Sequence, residues 1–361
     1  MAVSQLQVET ALKEVIDPYL EKDLVSIKAV KNIAVEGDNV TVDVQLGYPA
    51  SGWKDGLAAK LKEKVIGAGA KNAIINISSK IESHGVQKGV KPIPNIKNII
   101  AVASGKGGVG KSTVAVNLAL ALSVEGANVG ILDADIYGPS QPRMLGVKMK
   151  PESKDGHSLE PIISYHLQSM SIGYLIDEET PMIWRGPMVT QALEQLLRDT
   201  SWKDVDYLIV DLPPGTGDTQ LTLAQKVPVT GALIVTTPQD IALLDARKGL
   251  KMFEKVEIPV LGVIENMSTH ICSKCGHEEH IFGAGGGQKM ADDYDVDFLG
   301  SLPLDIRIRE ETDAGRPTVI ADPDCRISQI YREIARRVTA KLSLQKRDFS
   351  AKFPSIVIQN T

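Results

Sequence analysis

Hydrophobic and polar positions alternate in two different ways along this chain. Over residues 4–19 apolar side chains recur at helical spacing through Leu6, Ala11, Leu12, Val15 and Ile16, which predicts a helix. Two alternating runs follow, residues 29–35 and 40–46, joined at Glu36-Gly37-Asp38-Asn39, a hairpin signal. A helix over about 52–66 and a strand over about 73–78 complete a small α+β unit, placed at residues 1–84. Residues 85–97 are rich in Gly, Pro and Lys and read as a linker.

From residue 98 the pattern changes. Val/Ile/Leu-rich runs at 99–103, 128–132, 207–210, 232–236, 260–264 and 298–302 show little alternation, as expected of strands covered on both faces. Helical stretches separate them. Residues 98–344 are therefore expected to form an α/β domain with a doubly wound, mostly parallel sheet. Its last helix carries an apolar stripe of Ile327, Ile330, Tyr331, Ile334, Ala335 and Val338 beside Arg326, Arg332, Arg336, Arg337 and Lys341. Residues 345–361 are polar and mixed, and are expected to be a weakly ordered tail.

At 361 residues the chain suits two domains. A net charge of −5 argues against nucleic acid as a partner. No apolar run approaches a membrane span, so no membrane partner is expected. The start, Met-Ala-Val-Ser-Gln, has neither a basic region nor an apolar core, so no secretory signal is expected. Three cysteines in this length indicate a reducing compartment, and the expected localisation is cytoplasmic.

The chemistry begins at residues 105–113, which read Gly-Lys-Gly-Gly-Val-Gly-Lys-Ser-Thr directly after an apolar run. This contains the phosphate-binding pattern G-x4-G-K-[ST]. Gly105, Gly107, Gly108 and Gly110 let main-chain N–H groups around Val109 converge on an anion without Cβ clashes. Lys111 can reach the outer phosphates, and the Ser112 hydroxyl can hold Mg²⁺ beside Thr113. Two acidic clusters stand where strands are predicted to end. In Leu132-Asp133-Ala134-Asp135 a carboxylate would point into the ligand crevice of a parallel sheet, to orient water, to hold Mg²⁺ through water, or to cap a turn. The run 207–211 ends in Asp211, a Mg²⁺ carboxylate in such NTPases, and a Pro/Gly-rich stretch to Asp218 suits a segment that senses the γ-phosphate.

Residues 271–280 read Ile-Cys-Ser-Lys-Cys-Gly-His-Glu-Glu-His. Cys272 and Cys275 present two thiolates at C-x2-C spacing to one metal or cluster. Two thiolates do not close a four-ligand site, and a two-fold dimer would supply the other two. The rival readings are a zinc site (shared by a dimer, or closed by His277 and His280), a redox disulfide, and two inert cysteines. Cys325 stands alone and reads as a packing residue.

Taken together, the chain resembles the Mrp-type (ApbC-like) iron–sulfur cluster carrier ATPases of the deviant P-loop class. The resemblance rests on Gly105–Thr113, on residues 132–140, on Trp184-Arg185-Gly186-Pro187-Met188, on residues 211–218 and on Cys272–Cys275. It implies an ATPase that binds and hydrolyses ATP with Mg²⁺ on Ser112 and Asp211. Asp135, with Asp133 its neighbour, would position the attacking water. Asn266 would read adenine, with Pro303 lining the base. It also implies that Lys106 reaches the partner's nucleotide across a homodimer, the same symmetry that the cysteine pair calls for. The implied cargo is a [4Fe–4S] cluster bridging that dimer, and the implied partners are cluster donors and apo iron–sulfur clients. The first 84 residues are similar to a small iron–sulfur assembly-factor domain. Some relatives of that domain carry a reactive cysteine where this chain has Tyr48-Pro49-Ala50-Ser51-Gly52, which excludes a thiol role here. Two rivals stand beside this reading. One is a positioning ATPase on membrane or DNA, which would use the basic terminal helix. The other is a plain metabolic P-loop enzyme.

Overall fold

The computed structural model describes residues 3–176, 186–272 and 274–348. The first helix, α1 (Gln5–Lys13), starts at a capping box in which Ser4 Oγ accepts from Gln7 N at 3.3 Å and the Gln7 side chain accepts from Ser4 N at 2.9 Å. It stops well short of the predicted residue 19. Pro18 disfavours helical backbone at the residue before it, and the chain turns into β1 (Ile16–Asp17), which pairs with β2 (Lys22–Asp23). The consequence is a different stripe: Val8, Leu12 and Val15 are buried, whereas Leu6 and Ile16 are exposed. The Asp17 carboxylate, fully buried, accepts from Tyr19 N, Leu20 N and the Tyr48 hydroxyl.

β3 (Val30–Glu36) and β4 (Asn39–Leu46) form the expected hairpin across Gly37, whose φ of +62° the turn requires. After α2 (Lys54–Gly67), β5 (Asn72–Ser79) lies parallel to β4. Both helices bury their apolar sides on one face of this three-stranded sheet, around Leu12, Val42, Leu57, Leu61 and Val65.

The second unit opens with β6 (Ile96–Ala103) and α3 (Lys111–Val124). β7 (Val129–Asp133), α4 (Gln141–Met144), β8 (Ile162–Ser164) and β9 (Leu167–Ser171) follow. After α5 (Gly186–Arg198) come β10 (Val205–Asp211), α6 (Asp218–Lys226), β11 (Gly231–Thr236) and α7 (Asp240–Lys255). Next are β12 (Val260–Glu265), the short pair β13 (His270–Ile271) and β14 (Glu278–Glu279), α8 (Gly286–Asp293) and β15 (Phe298–Ser301). Three helices close the unit: α9 (Ile306–Asp313), α10 (Thr318–Ala321) and α11 (Arg326–Ser343).

Eight of these strands form one sheet in the order β15-β12-β11-β6-β10-β7-β9-β8. Every neighbouring pair is parallel except β8 and β9. All residues of β7, β10 and β11 are buried, which is why those runs lack alternation. Helix α3 is buried along its whole length from Val114 to Leu122, under α11 on one side and the sheet on the other. The stripe on α11 is used in the same way: Ile327, Tyr331, Ile334, Ala335 and Val338 are buried in the core shared with α3. This helix packs on its own domain, and Arg336 on its basic side is buried as well.

Two stretches are more tightly held than their composition suggests. Within the predicted linker, Gln87 Nε2 donates to the carbonyls of Ala224 and Val227 at 2.8 and 2.6 Å, Ile93 is buried, and β6 already begins at Ile96. At the start of the predicted tail, Asp348 N donates to Ser83 O at 2.9 Å; the remainder, 349–361, lies outside the described residues. The two units also touch directly. Ser51 N and Gly52 N of the small domain donate to the carbonyl and carboxylate of Glu125, the residue that caps the C-terminal end of α3.

Candidate functional site

Residues 105–110 connect β6 to α3, and the glycines are needed for two separate reasons. Gly108 and Gly110 have φ of +83° and +81°, where an L side chain is strained. Gly105 is held by contact: a Cβ there would lie 2.1 Å from the main-chain carbon of Asp245 in α7. Gly105→Ala is therefore expected to push α7 off the loop and to lower stability by about 1–3 kcal/mol, measured by denaturant unfolding. A stability within experimental error of the parent would contradict this.

Strand register assembles the acidic groups. Asp133 and Asp211 are direct partners where β7 and β10 pair, so the two predicted strand ends lie side by side. The Lys111 ammonium pairs with the Asp211 carboxylate, both buried. Gln141, which sequence reasoning did not single out, clamps this arrangement: its Nε2 donates to Asp211 Oδ2 at 2.9 Å and to Ser112 O at 3.1 Å. The only sequence signal for it is its place directly after the family-like stretch 132–140.

Asp133 and Asp135 differ in setting. Asp133 is fully buried; its Oδ2 accepts from Ser140 N, Gln141 N and Ser171 Oγ at 2.9–3.1 Å, and its Oδ1 from Asp135 N at 3.2 Å. Burial, and then the neighbouring Asp211, push its carboxyl up to about 7. These bonds fold the 134–141 loop over the site. Asp135 is only partly buried and accepts from Gly138 N at 3.3 Å; burial raises its carboxyl above the usual range. Lys106 is exposed, with its main-chain carbonyl accepting from Ser104 Oγ at 2.9 Å. Ser112 and Thr113 are half-buried at the head of α3.

Asn266 joins the loop directly. Its Nδ2 donates to Val109 O at 2.8 Å, and a Cβ on Gly110 would lie 2.3 Å from the same atom. Pro303 stands elsewhere, in the wall of a cavity of about 360 Å³ shared with Ile271, Phe298, Ile327 and Ile330.

The cysteines sit at the tip of the β13–β14 hairpin. Cys272 N donates to His277 O, and Gly276 N, at a φ of +72°, donates to Cys272 O, both at 2.9 Å. This knuckle leaves Cys275 exposed and Cys272 half-exposed. The amides of Lys274 and Cys275, with the Cys275 side chain, hold the Cys272 thiol below its usual range. The histidines turn to other partners: His280 Nδ1 meets Ser268 O at 3.0 Å, His270 Nδ1 meets Leu304 O at 3.1 Å, and His277 faces Glu279 at 3.7 Å. Among the described residues, no group of three or more His, Cys, Asp or Glu is placed to hold a metal ion. The single-chain Cys₂His₂ option is thus not assembled. Cys325 is remote in role, capping α11 by accepting from Ser328 N at 3.4 Å.

The phosphate loop and the segment that follows the hairpin both pack on α7. The segment after the hairpin rests on the start of this helix: a Cβ on Gly286 would lie 2.5 Å from Leu243 Cδ1 and 3.0 Å from Pro238 O. One turn further on, Asp245 backs Gly105. Ile241 and Leu244 on α7, Ile281 just after the hairpin and Tyr137 in the 134–141 loop are each more than half exposed. Of the Trp184–Met188 stretch, residues 184 and 185 lie outside the described residues, and Met188 is exposed on the first turn of α5.

Comparison with known proteins agrees with this layout. Residues 95–339 match the model of the NUBPL iron-transfer P-loop NTPases, and residues 5–77 match that of the iron–sulfur cluster assembly proteins. The iron–sulfur cluster carrier protein of Escherichia coli K12 is 52% identical over 330 residues, covering 91% of this chain and 89% of that protein. The iron–sulfur cluster transfer protein NUBPL of Mus musculus is 50% identical over 266 residues, covering 73% and 83%. Among solved structures, an ADP-bound nucleotide-binding protein from Archaeoglobus fulgidus superposes with a TM-score of 0.55 at 36% identity, covering 64% of this chain and 90% of that one. The cell-division ATPase MinD of Pyrococcus furiosus shares the fold, with a TM-score of 0.51 at 23% identity over 67% of this chain and 98% of its own. A nucleotide loop, paired strand-end aspartates and an exposed cysteine knuckle stand in one domain whose sequence matches that family over two-thirds of the chain, and the chain belongs to the NUBPL iron-transfer P-loop NTPases.

Proposed function

We propose that this protein is an ATPase that carries an iron–sulfur cluster, [4Fe–4S], held between two copies of the chain by Cys272 and Cys275 of each and delivered to apo-proteins. The observation that carries the reading is the exposed knuckle with only two thiols, in the same domain as the phosphate loop. Two thiolates per chain need a second chain to complete four ligands. The exposed Tyr137, Ile241, Leu244 and Ile281 beside loop and hairpin give that second copy an apolar surface to cover. The buried stripe of α11 leaves the membrane-positioning alternative without a free amphipathic face. Residues 1–84 and 98–344 act as the two working units, joined by 85–97.

In hydrolysis, the loop amides and Lys111 hold the phosphates, which requires the ammonium to leave Asp211 for the nucleotide. The hard oxygen donors Ser112 and Asp211 suit Mg²⁺, which when bound neutralises phosphate charge. Gln141 keeps Asp211 aimed at that position while Lys111 moves. Asp133 holds the 134–141 loop through main-chain N–H groups, and Asp135, less buried, orients the attacking water. Lys106, exposed at the loop's rim, reaches across the dimer to the partner's nucleotide and stabilises charge on the transferring phosphoryl group. Asn266, fixed to the loop carbonyl of Val109, contacts the base.

Anaerobic reconstitution with iron and sulfide tests the carrier reading. The expected product is a dimer with about one cluster per two chains, read by iron content and visible absorption. Cys272→Ala and Cys275→Ala are expected to lose the cluster, and Cys325→Ala to keep it. A chain that stays monomeric throughout, or that takes up zinc alone, overturns the proposal.

A further inference from the structure

β15 is an edge strand of the central sheet, with α8 and α11 on its two faces. Its free edge opens onto space at both ends. Phe298 and Ser301 line the 360 Å³ cavity, whose far wall is the cysteine hairpin through Ile271, Glu278 and His280. Phe298 and Leu299 line a second cavity of about 420 Å³, whose far wall is the Pro18–Lys22 turn of the small domain. Gln288 and Phe298 belong to both. One trough therefore runs along the strand from the cysteines to the small domain.

An edge strand presents a row of N–H and C=O groups that the sheet leaves unused, and the natural complement to such a row is another extended chain. The walls offer apolar seats for alternate side chains: Ile271, Ile327 and Ile330 at one end, Leu20, Leu299 and Leu344 at the other. Charge narrows the occupant. Arg307 is taken by Asp305 and Lys341 by Asp297. Arg326 and Arg337, one on each cavity, are exposed and form no ion pair with a described residue. With Lys22 they outnumber the exposed, unpaired acids Glu21 and Glu278.

We propose that this trough binds an extended, acidic segment of an apo client, which adds to β15 as a strand and so lies alongside the cysteine hairpin. The proposal rests on the carrier function above and gives the small domain a role, since it builds one wall of the client site.

The test uses a bacterial-type apo-ferredoxin that takes [4Fe–4S] clusters. Gln288→Trp fills the trough where the two cavities meet, outside the nucleotide and cysteine sites. Binding of apo-ferredoxin to the cluster-free carrier is measured by calorimetry, and cluster transfer by recovery of ferredoxin absorption. Gln288→Trp is expected to weaken binding and slow transfer by about tenfold or more, with cluster content and ATP hydrolysis within about twofold of the parent. Arg326→Glu/Arg337→Glu, two surface changes, is expected to act in the same direction and covers the case in which the tryptophan disturbs folding. Parental binding and transfer in both variants overturn the proposal, as does a loaded parent that transfers without measurable affinity for apo-ferredoxin. A parent that never takes up a cluster overturns the carrier reading instead, and the calorimetry still decides the trough.

Discussion

Lys111→Ala lowers the rate of ATP hydrolysis by about 10²–10³-fold or more, the range seen when one preorganised donor to developing charge is removed. The lysine is the one ammonium that the β6–α3 connection places inside the site, and it is buried beside Asp211. Its loss has a second consequence. Asp211 is left as a buried carboxylate with Gln141 Nε2 as its remaining side-chain donor, and an uncompensated buried charge costs about 3–5 kcal/mol. The variant is thus expected to be less stable as well as inactive, and Lys111→Ala/Asp211→Asn should recover much of the stability and none of the activity. The cysteine hairpin touches neither residue, so the folded variant still loads a cluster. Steady-state phosphate release, unfolding curves and iron content measure the three effects. A folded Lys111→Ala chain that hydrolyses ATP at the parental rate would remove Lys111 from the mechanism, and one that is folded yet cannot bind iron would show that the two sites are not separate.

Much of this layout was legible in the residues, and the exceptions have physical causes. The phosphate loop was readable because one spacing carries both its geometry and its chemistry, and the buried strands because both their faces are apolar. β8 and β9 were not anticipated: they are three and five residues long, and β9 contains Gln168, Ser169 and Ser171, whose polarity masks a buried strand. Ser169 and Ser171 are tolerated inside because their hydroxyls bond Ile162 O and Asp133 Oδ2. Gln87 and Gln141 show the same limit. Each has its partners far away in sequence, more than 100 positions for Gln87 and 70 for the Gln141–Asp211 bond, so no local pattern marks them. Composition read 85–97 as a linker, since Gly, Pro and Lys favour no regular element, and it could not show that β6 begins at Ile96 or that Gln87 is bonded to the ATPase domain. The cysteine pair is the reverse case: the spacing announced it, and the fold added its exposure at the tip of the β13–β14 hairpin.

Glu125 is where the two domains are expected to come apart. It is almost fully buried at the C-terminal end of α3, and its Oε1 accepts from Arg332 Nε at 2.7 Å and Arg336 Nη1 at 3.0 Å. Its Oε2 accepts from Gly52 N at 2.9 Å, and Arg336 lies 5.0 Å over the Tyr19 ring of the small domain. One carboxylate thus ties the helix, α11 and the small domain together. Glu125→Ala leaves the buried Arg336 without its counter-charge, at a cost of about 3–5 kcal/mol. Glu125→Gln keeps the shape and is expected to cost less, and Arg332→Ala less still, because that side chain is partly solvated. The loss falls on the contact between domains, so unfolding should split into two transitions, with faster proteolysis between residues 79 and 97. ATP at a hundred times its dissociation constant stabilises whatever unfolds with its site by about 2.7 kcal/mol. While Glu125 holds the far end of the phosphate-loop helix to the 51–52 turn, both domains should share that gain. In Glu125→Ala only the ATPase domain should keep it, leaving the first transition unmoved by ATP. A single ATP-sensitive transition in Glu125→Ala, at parental stability, would show that the small domain is held by something other than this carboxylate.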